Sequence, residues 1–211
     1  MQSPLFIVEH LLCNYQEPGQ EKRKRPVQKT AFIHFDGAES DTGDREQYDD
    51  ADKALLHYAF DHYAYWKSYL GLPHPRLERP GAFSENISTH GITERDLCIG
   101  DIFQAGGAVI QVTQGREACG TMNRRFNHPE MNLEMHGTHR NGWFYRVLTE
   151  GQITTGDAAR LLERPNPQWT LARVQHYVFN PTQDTAILEE LASLPYMAKE
   201  WTERFLKQLN T

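Results

Sequence analysis

The chain has 211 residues, 39% hydrophobic and 24% charged, enough apolar surface for one sizeable core or one principal domain with a small appendage. Its formal charge of −6 argues against a general nucleic-acid binder, whose affinity depends on clustered Lys and Arg displacing counterions. No apolar run approaches the ~18 residues that span a bilayer, and Met1-Gln2-Ser3-Pro4 lacks the cationic stretch of a secretory signal, so no membrane association and a cytoplasmic location are expected.

From Leu5 to about Leu148 short apolar stretches alternate with Gly, Pro, Asn and Asp, the pattern of a sheet-rich domain. Phe6-Ile7-Val8 and Ala31 to Phe35 read as strands. Between them the run Lys22-Arg23-Lys24-Arg25 reads as a solvated loop leading into Pro26, with anion or nucleic-acid contact as the other reading. Ala38 to Asp52, acidic and Gly-containing, reads as a long loop. Apolar residues near helical spacing follow from Ala51 to Trp66, and a helix is expected at about 59 to 69, ending before Gly71. Residues 81 to 89 read as a loop, and 102–103 with 108–112 as a hairpin around Gly106-Gly107. After Gly151 the period changes: Thr170 caps a helix over Leu171 to Val178, Asp184 caps Thr185 to Leu194, and Ala198 to Leu209 repeats apolar residues every three or four positions. The expected class is α+β, mostly β, divided into a domain over 1–160 and a three-helix unit over 161–211.

Cys13, Cys98 and Cys119 form neither an even set nor a Cys-x-x-Cys pair, which disfavours a disulfide framework and a structural zinc site. The ten histidines show no zinc-ligand spacing either. Cys119 sits among polar and Gly residues just after a strand, so it is expected to be accessible, and Arg116 three residues earlier favours its thiolate. A lone cysteine is more often a small hydrophobe, and these residues by themselves leave both readings open.

The ordered series from Gly81-Ala-Phe-Ser-Glu-Asn-Ile-Ser-Thr89 through Gly100-Asp101, then Ile110-Gln-Val-Thr-Gln-Gly-Arg-Glu-Ala-Cys119, to Gly142-Trp-Phe-Tyr-Arg-Val-Leu148 resembles the MOSC domain family, most closely its bacterial YiiM-like members. Arg164-Pro-Asn-Pro-Gln-Trp-Thr-Leu-Ala-Arg-Val174 and the helices after it resemble the three-helix domain of that subgroup. The resemblance covers about Phe32 to Leu209. It implies a mixed β-barrel-like domain with peripheral helices and a bound molybdenum cofactor (molybdopterin), with Cys119 as the ligand to molybdenum.

By the same resemblance Cys119 and Arg116 are the catalytic candidates. Lys53, His57, Asn86, Ser88, Thr89, Gln114, Arg116 and Asn123 are candidates to touch the cofactor, and Glu85 is expected to brace its loop. The family's activity implies reduction of N-hydroxylated compounds, such as hydroxylaminopurine bases, with electrons from an external reductase. The chain has no Gly-x-Gly-x-x-Gly fingerprint, no cysteine set for an iron–sulfur cluster and no pyridoxal-phosphate domain, so NAD(P) and a cluster of its own are not expected. Two departures stand out. Tyr48-Asp-Asp-Ala-Asp52 replaces a Gly-containing, His-bearing turn, and Ala118 replaces the proline before the cysteine. They keep two alternatives in view, a carrier of cofactor or of sulfur on Cys119, and a module that has lost the cofactor. A homodimer is a further expectation by resemblance.

Overall fold

A computed structural model describes residues 5–15, 23–27, 29–71 and 73–210. Its strands are β1 (Phe6–Ile7), β2 (His10–Tyr15), β3 (Arg23–Pro26), β4 (Thr30–His34), β5 (Gly37–Ser40), β6 (Leu55–Ala59), β7 (Ile87–Thr89), β8 (Ile102–Ala105), β9 (Ala108–Gly115), β10 (Trp143–Thr149), β11 (Gly151–Thr154) and β12 (Ala158–Glu163). The helices are α1 (His62–Leu70), α2 (Gly120–Phe126), α3 (Met131–Thr138), α4 (Leu171–Phe179), α5 (Thr185–Ala192) and α6 (Lys199–Leu209). Nine strands, in the order β1-β12-β8-β9-β10-β6-β7-β2-β3, curl into a half-barrel, and β11-β4-β5 form a second small sheet. The pairs are antiparallel except β6 with β7, which run parallel with His57 opposite Ile87. The class is α+β and mostly sheet.

Local chemistry accounts for several elements directly. Gly106, at φ 54°, turns the β8–β9 hairpin in the left-handed region that favours glycine. The Thr170 hydroxyl accepts from the Arg173 N–H at the start of α4, and Asp184 accepts from the N–H groups of Ala186 and Ile187 at the start of α5. Gly71, at φ 69°, ends α1.

Elsewhere the structure differs from the sequence reading. Leu55 to Ala59 is a strand, not helix-like chain, because it lies between β10 and β7 with all five residues buried and so loses the alternation that marks a strand. The expected loop over 38–52 begins as β5, which pairs with β4, and closes in a 3₁₀ turn over Ala51–Lys53. Arg23–Pro26 is a strand against β2, with Asn14 opposite Lys24, so Lys24 is buried rather than solvated; Lys22 lies outside the described residues. Two strands, β11 and β12, precede the three closing helices, and α2 and α3 interrupt the sheet-rich region.

Two apolar cores result. The larger lies between the sheet and the closing helices, with Phe103, Trp143, Tyr145, Trp169, Trp201 and Phe205 among its members. The smaller is built by α1, α2, α3 and the 81–84 loop around Tyr58, Tyr63, Trp66, Phe83, Met122 and Phe126. Phe83 stacks on Tyr58 at 4.0 Å and packs against Phe126 at 5.0 Å. Burying each such side chain contributes about 1.5–3 kcal/mol, so this core fixes the loop and helix that flank the site.

Candidate functional site

β9 delivers the chain to Gly115, where a Cβ would collide with the Gln175 side chain of α4, so glycine permits the close approach of the helical unit. The next N–H, of Arg116, donates to the Gly142 carbonyl at 3.0 Å. Glu117 turns to α6, accepting from Trp201 Nε1 at 2.9 Å and Arg204 Nη2 at 2.8 Å. Ala118 drops into the smaller core, and Cys119 emerges exposed at the entry to α2.

The Cys119 thiol is pulled below its ordinary pKa by the hydroxyl and N–H of Thr121 turned toward its sulfur, with smaller help from Arg116 and Arg124, although no closed capping hydrogen bond forms. Arg124 Nη2 donates to Thr121 Oγ1 at 3.1 Å, which leaves the hydroxyl proton available to the sulfur. Burial does the opposite to the other two thiols, pushing Cys13 up to about 12 and Cys98 up to about 11.

Facing this helix is the loop from Gly81 to Asn86. Glu85, fully buried, accepts from Tyr63 Oη at 2.5 Å and from the N–H groups of Gly81 at 2.7 Å and Phe83 at 3.0 Å, so it braces the loop as expected. Two guanidinium groups from the cysteine side hold the loop's carbonyls. Arg116 Nη1 donates to Phe83 O at 2.7 Å, and Arg125 Nη1 donates to Ala82 O at 3.2 Å and to the Ser84 hydroxyl. Ser84 adopts φ 64°, a strained backbone for a non-glycine residue that these bonds stabilise.

Between loop and helix opens a cavity of about 620 Å³, within the usual range for small-molecule sites of about 300–1,000 Å³. Among the described residues its walls carry Lys24, Arg76, Arg79, Arg124 and Arg125 and no carboxylate, with Asn14, Ser84 and Thr121 as further polar groups. Behind one wall Glu46 forms a buried ion pair with Lys24 and accepts from the Asn14 N–H, Tyr48 Oη at 2.8 Å and Asn86 Nδ2 at 3.0 Å. The cavity thus concentrates positive charge in a concave, partly desolvated space, which attracts anions strongly. Thr121, which lines it, also turns its hydroxyl and N–H toward the Cys119 thiol.

Neither Cys119 nor Arg116 is among the residues that line the cavity: Cys119 stands two residues before Thr121, which does, Arg116 reaches the neighbouring loop at Phe83 O, and the other predicted residues lie elsewhere. His57 is wholly buried, bonded to Tyr145 Oη at 3.0 Å and Thr89 Oγ1 at 2.8 Å, and burial holds it at about 3, so it is neutral. Asn86 spends its side chain on the Leu56 N–H, the Leu12 carbonyl and Glu46. Ser88 and Gln114 are buried, with Ser88 Oγ and Gln114 Oε1 lacking a partner among the described residues. Lys53 pairs with Glu200 and Asp50 on the surface, and Asn123 bridges α2 to α3 through Pro129 O and the Asn132 N–H. Residues 48 to 52 do not line the cavity; Asp52 pairs with Arg146. The cavity cations Arg76, Arg79, Arg124 and Arg125 carried no role in the sequence reading, although Arg124-Arg125 follow the cysteine closely enough to have signalled it.

A curled mixed sheet sealed on one side by a three-helix unit defines a class with solved members. The chain superposes on the YiiM of Geobacillus stearothermophilus with a TM-score of 0.80 at 28% identity, covering 97% of this chain and 99% of that one. The MOSC domain model matches residues 34–160 and the model of the YiiM-like 3-alpha helix domain matches 169–211, so the chain belongs to the MOSC domain family, in its YiiM-like branch. Protein YiiM of Escherichia coli strain K12 is 33% identical over 160 residues, 74% of this chain and 69% of that protein. A protein of Gibberella moniliformis named "Reductase" is 36% identical over 145 residues, 68% of this chain but only 26% of the fungal protein, so the chain spans about a quarter of that relative.

Proposed function

We propose that the protein binds a molybdenum cofactor in the cationic cavity and reduces N-hydroxylated compounds, with electrons from a separate reductase. MOSC domains are associated with this cofactor in general, and one relative carries the name reductase. The observation that carries the reading is an exposed, acidified thiol beside a cavity that four arginines line, with Lys24 paired to Glu46 and no carboxylate among the described lining residues. Those residues fit the group: a soft thiolate suits a thiophilic metal, and the cations suit a phosphorylated pterin.

Cys119 would be the ligand to the metal, and Arg124 and Arg125, five and six residues further along α2, would take the cofactor's phosphate. When bound, the cofactor supplies two-electron cleavage of an N–O bond, R–NHOH plus two electrons and two protons giving R–NH₂ and water. Thr121, with smaller help from Arg116 and Arg124, lowers the Cys119 pKa and so favours its thiolate. Arg116 and Arg125 hold the 82–84 loop against α2, fixing the distance between the cavity's two walls.

Elemental mass spectrometry on protein made in a host that synthesises the cofactor tests this. Stoichiometric molybdenum in the wild type, lost in Cys119→Ser, together with reduction of a hydroxylaminopurine by a supplied reductase, is the expected result. Neither metal nor pterin in the wild type would overturn it.

A further inference from the structure

We infer that Arg76 and Arg79 form a second phosphate subsite in the cavity, and that the substrate is a nucleoside monophosphate bearing the N-hydroxylated base rather than the free base. The substrate assignment rests on the reductase reading; the subsite does not.

Charge counting carries the argument. Of the five cations that line the cavity among the described residues, Lys24 is already neutralised by Glu46. A phosphate monoester carries a charge of about −1.5 to −2, which Arg124 and Arg125 on the cysteine's own helix match. Arg76 and Arg79 remain. They stand on a different segment, both exposed, with no ion pair among the described residues. The one carboxylate of that segment, Glu78, turns to Lys67 of α1 at 3.2 Å and does not line the cavity.

The segment is also held in place. Leu77, wholly buried, anchors it in the smaller core, and the His74 ring packs on Phe126 at 5.3 Å. Pro75 and Pro80, with restricted backbones, line the cavity beside the two arginines and offer flat apolar surface against which a base can lie. Two guanidinium groups on a fixed wall, a neighbouring apolar surface and the Asn14 amide match the three parts of a nucleotide: phosphate, base and polar edge.

Calorimetric titration of cofactor-free protein with adenosine 5′-monophosphate and with adenosine reads the subsite. The monophosphate is expected to bind about ten- to a hundredfold tighter, the range that even one charge-assisted hydrogen bond supplies. In Arg76→Ala/Arg79→Ala, with an unchanged Tm showing that it folds, the advantage should fall at least severalfold, and what remains should vanish on adding Arg124→Ala. Equal affinities in the wild type, or an undiminished advantage in the variant, would overturn the subsite. The cofactor-loaded forms decide what the subsite serves. Wild-type molybdenum content in the double variant, with a pterin released by acid that bears no nucleotide, supports the substrate. Metal loss in the variant, or a nucleotide on the released pterin, assigns the arginines to the cofactor and overturns the substrate. Absence of both metal and pterin from the wild type refutes the reductase reading, and with it the substrate, whatever the titration gives.

Discussion

His57 offers a test of how the buried polar groups behave. Its ring is inaccessible to solvent, tilted against Trp143 with centroids 4.3 Å apart, and burial lowers its pKa to about 3 from an ordinary 6.5. Because the folded pKa lies below the unfolded one, the contribution to stability is complete above pH 6.5 and is lost as pH falls toward 3, where the unfolded chain takes up a proton that the folded one refuses. Each pH unit in that window costs about 1.4 kcal/mol, so lowering the pH from 7 to 5 costs about 2 kcal/mol from this residue. Both ring hydrogen bonds go to hydroxyl groups, which can donate or accept, so the cost is one of desolvation rather than of lost partners. Urea denaturation at pH 7 and pH 5 compares the wild type with His57→Gln, whose amide stays neutral at both. The wild type should lose about 2 kcal/mol more than the variant between the two. Equal losses would show that His57 takes up its proton in the folded state and would refute the reasoning.

Three further outcomes follow from the same structure. Iodoacetamide at pH 7.5 should add one adduct by intact mass, at Cys119, and none to Cys119→Ser, since Cys13 and Cys98 are buried with pKa values pushed up to about 12 and about 11; a second adduct on native protein would contradict this. Glu46→Ala leaves the buried Lys24 charge without its partner and should lower unfolding free energy by about 3–5 kcal/mol, partly recovered by adding Lys24→Met; a loss under about 1 kcal/mol in chemical denaturation would mean the pair is solvated. Gly142→Ala forces an L side chain at φ 77° with its Cβ 2.5 Å from the His57 carbonyl oxygen and 2.8 Å from Tyr58 Cδ2, and should cost about 2–4 kcal/mol, read as a lower urea midpoint; an unchanged midpoint would show that the backbone there can shift freely.

What the sequence revealed divides along the line between local and distant causes. The hairpin at Gly106-Gly107, and the closing helices with Thr170 and Asp184 at their starts, depend on chemistry within a few residues and were readable. β6 was not, because burial on both faces removes its alternation. α2 and α3 are only seven and eight residues long, and their signal was limited to Met122 with Phe126 and Met131 with Met135, pairs four apart that enter one core. Lys24 looked solvated among its basic neighbours because Glu46 lies 22 residues away. The cavity draws its cations from residues 24, 76 to 79 and 124 to 125, three segments that only tertiary packing unites. The family's motif order identified the cysteine, whereas the charge around it had to be seen in three dimensions.

The grip of α6 on Glu117 bears on the order in which the molecule is made. Trp201 and Arg204 hold the residue two before Cys119, yet they are translated more than eighty residues after it. A ribosome-bound chain that has not yet released residue 204 has its sheet strands, its thiol and the anchors that Arg116 and Ala118 provide, but lacks the contacts that hold Glu117 between them. The segment leading to the thiol therefore gains its last anchor only after synthesis has passed α6.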